Sequence, residues 1–204
     1  MAVINDPGII PEIFTFGIKY RTQISTSNIS GITQTVEIPG ARWHGSMTFS
    51  NMLPAESAVL KAWLLELRGS AGRFYFNDIT HNQAFNTLIG SPTIESGSTR
   101  SDIRVTFDSG SGAPSVGDYL SIGGANERRE LKMIISVDDL TGNQYDLGIE
   151  PPIRQEVFIG DSVDYTNPLG VFILTSDDQA KWTTRSKALL SDITIDFMEM
   201  FVLA

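Results

Sequence analysis

The chain has 204 residues, 24 of them acidic against 15 lysines and arginines, and it contains no cysteine. Its net charge of −9 disfavours sequence-independent binding to nucleic acid and attraction to an anionic membrane, because both partners are themselves negatively charged. Without cysteine, disulfides, zinc–thiolate sites and thiol catalysis are excluded. The sequence has no apolar run long enough to span a membrane and no secretory signal at its start, so we expect synthesis in a cytoplasm.

The first part of the chain is predicted to be an arm followed by two strands. Residues 1–11 contain two prolines and a glycine and are expected to be extended, either frayed or docked on a neighbouring subunit. Fraying is the usual condition of a chain end. Apolar and polar residues alternate over 14–21, which predicts a half-buried strand. Residues 23–31 are predicted to be a polar loop, and residues 32–38 a strand that ends at Pro39 and Gly40.

The stretch from Arg42 to Asp78 is predicted to fold as strand, helix, turn and strand. From Trp43 onward apolar and polar residues alternate, as in a strand with one buried face. Pro54 opens a helix where its missing N–H costs nothing, and Gly69 is expected to cap the C-terminus. The apolar stripe of this helix must lie on a sheet. The stripe consists of Val59, Leu60, Trp63, Leu64 and Leu67.

The middle of the chain, residues 83–166, differs from the rest in charge and glycine content. It has 13 acidic and 6 basic residues, a net charge of −7 against −2 for the remainder, and ten of the 18 glycines. Short strands separated by turn sequences predict a small β-barrel or sandwich, and about five strands in roughly 80 residues suit an OB-like barrel. The predicted strands cover residues 103–107, 119–122, 131–137, 144–149 and, more weakly, 157–159.

The last part of the chain returns to the composition of the first. A strand is predicted over 171–175, a polar loop carrying Trp182 over 177–187, and a terminal strand in which Ile193, Ile195 and Phe197 alternate with polar residues. The terminal strand has too few neighbours in sequence to form a separate domain, so it is expected to complete the sheet that holds the helix. The chain is therefore predicted to be mainly β, with a discontinuous domain (residues 1–82 and 167–204) and an inserted domain (residues 83–166).

No spacing of residues indicates catalysis. His44 and His81 lie beside predicted strands, and no G-x-S-x-G motif supplies an activated serine, so both are interpreted as surface or strand-edge residues. The aspartate pairs at 138–139 and 177–178 lie in turn-like sequence, where aspartate caps backbone groups. The sequence therefore predicts no catalytic residue, no metal ligand and no cofactor, because it offers few of the residues that such sites need.

Two features of the middle segment bear on binding. Its aromatic residues would stack on a sugar if the barrel were a binding module, although most are expected to lie in the core. These residues are Phe85, Phe107, Tyr119, Tyr145, Phe158 and Tyr165. Arg154 follows a strand end marked by two prolines, and it is expected either to pair with a carboxylate or to be solvated.

Two stretches of the sequence resemble one known family. The pattern W-x-G-x-x-x-F, a helix beginning near Pro-Ala-Glu, and L-R-G-x-x-G-x-F-x-x-x-D, all within residues 42–78, resembles the first domain of distal tail proteins from long-tailed phages. Residues 114–134, PSVGDYLSIGGANERRELKMI, resemble the inserted second domain of the same family. In that family a β-sandwich with one helix is interrupted, in some members, by an OB-like domain.

The resemblance implies a structural protein of the virion. Copies of the chain would form a hexameric ring that joins the tail tube to the tail tip, with the barrels projecting outward, and would contact the tail tube protein and the tip or hub proteins. Strand edges and the N-terminal arm are expected to pair across subunits. Three alternatives are open: a glycan-binding module in host adsorption, another tail component such as a tube subunit, and, least favoured, a glycan hydrolase.

Overall fold

The computed structural model describes residues 3–81, 84–123, 129–154, 159–185 and 190–201. Over these ranges the chain is mainly β, with one α-helix, α1 (Pro54–Leu67), and short 3₁₀ helices at Gly69–Ala71 and Asp177–Gln179. The strands are β1 (Val3–Asn5), β2 (Ile13–Lys19), β3 (Thr22–Thr26), β4 (Thr33–Glu37), β5 (Arg42–Met52), β6 (Arg73–Phe76), β7 (Asp102–Thr106), β8 (Tyr119–Ile122), β9 (Glu130–Thr141), β10 (Gln144–Glu150), β11 (Val163–Asp164), β12 (Gly170–Leu174), β13 (Thr183–Arg185) and β14 (Leu190–Glu199). The prediction of a mainly β protein with one long helix is confirmed.

The strands form two large sheets and one separate ribbon. The first sheet has the order β1-β6-β12-β14-β5-β2, with β13 paired to β14, and all its pairings are antiparallel except that of β1 with β6. The second sheet is antiparallel, with the order β11-β8-β9-β10-β7, and β3 pairs with β4 in the ribbon. The strands of the second sheet all come from within residues 83–166, while the division into two domains stays a prediction.

Helix α1 packs on the first sheet through its apolar stripe. Four members of the stripe are buried in one core with aromatic residues of the sheet: Leu60, Trp63, Leu64 and Leu67. Val59 was expected in the stripe but is 52% exposed, because it lies at the margin of the stripe, about 100° around the helix from Leu60. The helix also ends one residue earlier than predicted, since Arg68 adopts the left-handed conformation (φ 54°) that Gly69 was expected to supply.

The described part of the N-terminal arm is ordered against its own chain. Strand β1 pairs in parallel with β6, with Asn5 opposite Tyr75, and the Nε1–H of Trp63 donates to the Asn5 carbonyl at 2.8 Å. The prediction of a frayed arm is therefore wrong for residues 3–5, and residues 1–2 lie outside the described ranges. The edge of β6 and the buried indole N–H both need hydrogen-bond partners, and the arm's backbone supplies them.

Several other boundaries differ from the predicted ones. Strand β3 occupies half of the predicted loop over 23–31, because its Thr and Ile residues suit a strand that can pair with β4. Strand β9 runs on to Thr141 as a partner of β10, so residues 138–139 lie in a strand and not in a turn. Ile159 lies in a turn, and the rest of the weak strand at 157–159 lies outside the described residues. The predicted loop over 177–187 contains a 3₁₀ helix and β13, and its last two residues are not described.

The second sheet curls around a core of its own, so that both its edges meet one segment of chain. The Ile94 N–H donates to the Asp161 carbonyl, beside β11, at 2.9 Å. The next residue, Glu95, donates its N–H to the Arg104 carbonyl of β7, also at 2.9 Å. Residues 94–95 therefore link the two edges of the sheet by backbone hydrogen bonds. Ile94 itself is buried in the core of this sheet.

The two sheets meet through buried residues of β5, β8 and β9. Trp43 donates its Nε1–H to the Leu131 carbonyl at 2.8 Å, and the rings of Trp43 and Tyr119 lie 5.6 Å apart. Tyr119 and Leu131 belong to the core of the first sheet, although both lie in the middle segment. Burial and the neighbouring Asp78 carboxylate, which accepts the Tyr119 hydroxyl at 3.0 Å, raise the pKa of Tyr119. The junction is thus a packed, hydrogen-bonded contact.

Candidate functional site

The two histidines have separate and ordinary structural surroundings. His44 lies in β5, opposite Gly17 of β2, and burial followed by the charges of Lys19 and Arg42 lowers its pKa. His81 places its Nε2 atom 3.3 Å from the Oδ1 atom of Asp118, whose side chain is 1% exposed. The structure does not bring His44 and His81 together.

Asp118 organises the turn before β8. Its carboxylate accepts the backbone N–H groups of Phe85 at 2.9 Å and Ser115 at 3.0 Å. Hydrogen bonds to backbone groups are the usual use of a buried aspartate in a turn. Residues 116–117 form this turn, and the contact with His81 adds a side-chain partner for the Asp118 carboxylate.

The two aspartate pairs do different things. Asp177 accepts the Ser70 N–H at 2.9 Å, and this hydrogen bond lowers the pKa of Asp177, so the predicted capping role is confirmed there. Its neighbour Asp178 forms an exposed ion pair with Lys181 at 2.8 Å. The pair at 138–139 is exposed on β9, where successive side chains point to opposite faces. Neither pair forms a cleft with two facing carboxylates.

Most of the aromatic residues of the middle segment are core residues, as predicted. The buried ones are Phe107, Tyr119, Tyr145 and Tyr165. Phe85 is 67% exposed and lies against the ring of His81, with 4.2 Å between the ring centroids. Phe158 lies outside the described residues. A sugar-stacking surface on this segment would therefore depend on Phe85 among the described aromatics.

No described carboxylate forms an ion pair with the half-buried guanidinium of Arg154, although its charge acts on nearby Glu150. The guanidinium donates to the Ala41 carbonyl and lies 5.3 Å from the ring centroid of Phe201, while the Arg154 backbone N–H donates to Glu130 at 3.1 Å. The Nε atom is buried and has no hydrogen-bond partner among the described residues. Arg154 therefore tethers the end of the second sheet to the start of β5.

The described residues contain no cluster of three or more histidine or acidic side chains that would hold a metal ion. Their one α-helix is too short and too polar to cross a membrane.

The β3–β4 hairpin stands clear of both sheets. All ten residues of its strands are exposed, and neither strand pairs with any other described strand. Large apolar side chains on the hairpin and at its base are 55–99% exposed: Tyr20, Ile24, Ile29, Ile32 and Val36. Glu37 is the single charged residue between Thr22 and Glu37. A lone two-stranded hairpin is at best marginally stable in water, and large exposed apolar patches of this kind are typical of interaction sites.

The outer edge of β2 is the second open feature. This strand pairs on one side with β5 and with no described strand on the other. Such an edge offers free backbone N–H and carbonyl groups to another chain. The sequence predicted strand edges as assembly features and a strand over residues 32–38, where β4 lies, but it placed a loop over most of β3. The signal that would have found the hairpin is the matched β-branched content of residues 22–26 and 33–37 on either side of a Ser- and Gly-containing turn.

Comparison with known proteins identifies no relative: no protein-family model matches the chain, and no curated protein matches it.

Proposed function

We propose that this protein is a structural component of a phage virion, a distal tail protein whose copies form a hexameric ring between the tail tube and the tail tip. It would be made in the host cytoplasm and incorporated at the distal end of the tail, where its partners would be other copies of itself, the tail tube protein and the tip or hub proteins. The observation that carries the proposal is the uncovered β3–β4 hairpin.

The hairpin has the properties of an assembly element. Its exposed isoleucines at positions 24, 29 and 32 lose contact with water only if another chain covers them. Its strand edges carry Thr, Ser and Gln side chains and lack the lysines and prolines that protect an edge from pairing. Full burial of a large apolar side chain contributes about 1.5–3 kcal/mol, so covering three of them per subunit would favour association against its entropic cost.

The finer fold proposed here agrees with that role. The first sheet and α1 would be the sandwich-like ring domain, and the second sheet, with its edges linked by residues 94–95, an inserted OB-like barrel. The resemblance of residues 42–78 and 114–134 to the distal tail family supports both assignments. The more acidic middle segment would then lie outside the ring, where the charges of several copies repel each other least.

The proposal is tested by the mass and shape of the purified protein. We expect rings by light scattering and electron microscopy, and we expect the double variant Ile24→Ser, Ile29→Ser to be a folded monomer. The matched control is Val59→Ser, Leu65→Ser, which removes two exposed apolar side chains from α1 and should leave the rings intact. A wild-type protein that stays monomeric, both alone and with tail tube protein, would contradict the proposal.

The alternatives make different predictions. A tube subunit would polymerise into long tubes instead of single rings. A glycan-binding module would bind cell-wall polysaccharide and lose that binding on Phe85→Ala, since Phe85 is the exposed aromatic residue of the described middle segment. A glycan hydrolase would release sugars from such material. No contact in the described residues favours these functions over the first.

A further inference from the structure

The ladder of β2 and β5 ends at one side in a cationic cleft. Lys19 of β2 lies opposite Arg42 of β5, directly before the chain enters the hairpin. A cleft of about 340 Å³ opens here, and its lining includes Lys19, Tyr20, Arg21, Arg42 and Met198. Three of these residues, Lys19, Arg21 and Arg42, are permanent cations. The carboxylates of Glu37 and Glu150 act on Tyr20 but are not part of the lining.

The cations of this cleft have no carboxylate partner within ion-pair distance among the described residues. Other cations of the chain do, such as Arg104 with Asp146 at 2.6 Å and Lys132 with Glu130 at 2.7 Å. Arg42 instead approaches the Met198 sulfur at 3.9 Å and the Phe201 ring. In a chain with a large acidic excess, this is a local surplus of positive charge that faces solvent.

The other end of the same ladder is acidic and apolar. A cleft of about 610 Å³ lies where β2 begins and β5 ends, and its lining includes Ile9, Ile10, Glu12, Met52 and Glu56. Asp6 lines a smaller cavity beside it, and Asp192 accepts the Asn51 N–H at 3.2 Å. Neither lining contains a lysine or an arginine. Ile10, at its rim, is 85% exposed.

These two ends cannot meet within one molecule. Glu12 directly precedes β2, and Lys19 is the last residue of that strand. At about 3.3 Å per residue, the seven residues of the strand place them about 23 Å apart. One end carries positive charge and an exposed hairpin, and the other carries negative charge and an apolar cleft. These complementary surfaces can meet only between two copies of the chain. A contact between different patches of identical chains is heterologous, and it closes into a ring when the rotation between copies allows.

The geometry points to a head-to-tail interface in which the cationic end of one copy, with Lys19, Arg21 and Arg42, docks on the acidic end of the next, with Glu12 and Glu56. Each of the two clefts is thus occupied by a second copy of this chain. Ile24, three residues beyond Arg21, would pack on the apolar lining of Ile9, Ile10 and Met52. This inference rests on the proposed ring, and it adds which surfaces face each other and in which polarity.

The test is a charge-reversal cycle on the full chain. Arg21→Glu and Glu12→Arg each place like charges across the interface, and each is expected to weaken self-association about tenfold or more. The double variant restores an opposite pair with reversed polarity and is expected to recover most of the wild-type association. Sedimentation velocity over a range of protein concentrations and salt measures the association constant, and circular dichroism checks that each variant is folded.

Two matched reversals away from the ladder ends serve as controls. Arg100→Glu and Glu66→Arg change exposed charges by the same amount and are expected to leave association unchanged. If the wild type assembles and both single variants assemble equally well, or if the double variant is no better than the singles, this interface is wrong while the ring itself stands. If the wild type does not self-associate, either alone or with tail tube protein, the ring and the interface both fail.

Discussion

Leu131 donates its backbone N–H to Oε1 of Glu199 at 3.1 Å, although Leu131 lies in β9 of the second sheet and Glu199 in β14 of the first. The other carboxylate oxygen of Glu199 accepts the Trp43 N–H at 3.4 Å. Glu199 has no solvent exposure, so it closes the junction between the sheets as a buried acceptor. A buried carboxylate of this kind is costly unless it is hydrogen-bonded or neutral.

Glu199 should make the stability of the protein depend on pH. Burial, opposed by Lys132 and reinforced by Glu130, raises the pKa of Glu199 to about 7 from an ordinary value of 4.5. Between these values the folded protein holds a proton that the unfolded chain releases, so the free energy of unfolding is expected to fall as pH rises through this window. Glu199→Gln, which has no proton to lose, is expected to flatten that slope in urea titrations.

Two substitutions of Glu199 separate the effect of its charge on stability from the effect of its hydrogen bonds. Glu199→Gln keeps one acceptor oxygen, whereas Glu199→Ala leaves the N–H groups of Trp43 and Leu131 without a partner, at about 1–3 kcal/mol each. We therefore expect the alanine variant to be the less stable of the two at every pH. A wild-type stability that is constant between pH 4.5 and 7 would show that Glu199 is not buried as described.

The indole of Trp63 should hold the N-terminal arm in place. Trp63→Phe removes the hydrogen bond to the Asn5 carbonyl and keeps an aromatic ring on α1, so a loss of about 1 kcal/mol is expected. The more specific readout is amide hydrogen exchange, in which Ile4 and Asn5 of β1 should exchange faster. Trp182→Phe is the control, because that indole is 41% exposed and lies over Lys61. Unchanged exchange in β1 would mean that pairing with β6 alone secures the arm.

Two glycines of the β2–β5 ladder should respond oppositely to alanine. A methyl group at Gly45 would overlap the ring of Phe197, and overpacking of this kind costs about 1–3 kcal/mol. A methyl group at Gly17 meets nothing within 4 Å, so Gly17→Ala is expected to be neutral or slightly stabilising in a strand. Thermal unfolding of the two variants checks this, and equal melting temperatures would contradict the packing of Phe197 on β5.

Amide hydrogen exchange in the hairpin should differ between the monomer and the assembled protein. In a monomer the β3–β4 amides are expected to exchange rapidly, because one exposed ladder with no packed face opens easily. In the assembled protein the same amides, including those of Ile24 and Val36, should become protected, while the amides of β14 stay protected in both states. A hairpin already protected in the monomer would show that its own chain covers it.

The sequence was informative wherever one face of an element is buried. The alternation of Ile193, Ile195 and Phe197 and the helical stripe around Trp63 each mark a single apolar face, and both elements lie where predicted. The second strand of the hairpin lies within the predicted strand over 32–38, but its first strand was missed. Neither face of the hairpin is buried, so residues 22–26 show no alternation to separate them from a loop.

Features that depend on long-range partners were not predictable from local patterns. Glu199 is one charged residue at the end of an alternating strand, and nothing near it in sequence indicates that β9 will cover it. Arg154 and Ala41 are 113 positions apart. The cationic and acidic ends of the β2–β5 ladder likewise emerge only when antiparallel pairing places Lys19 beside Arg42.

The central claim is that the protein belongs to the distal end of a phage tail, and labelling of assembled virions tests it most directly. A tag or antibody against this protein, viewed by electron microscopy, is predicted to mark the end of the tail opposite the capsid, just above the tip. Label along the whole tail would instead indicate a tube subunit. The absence of label from every particle would contradict a virion role altogether.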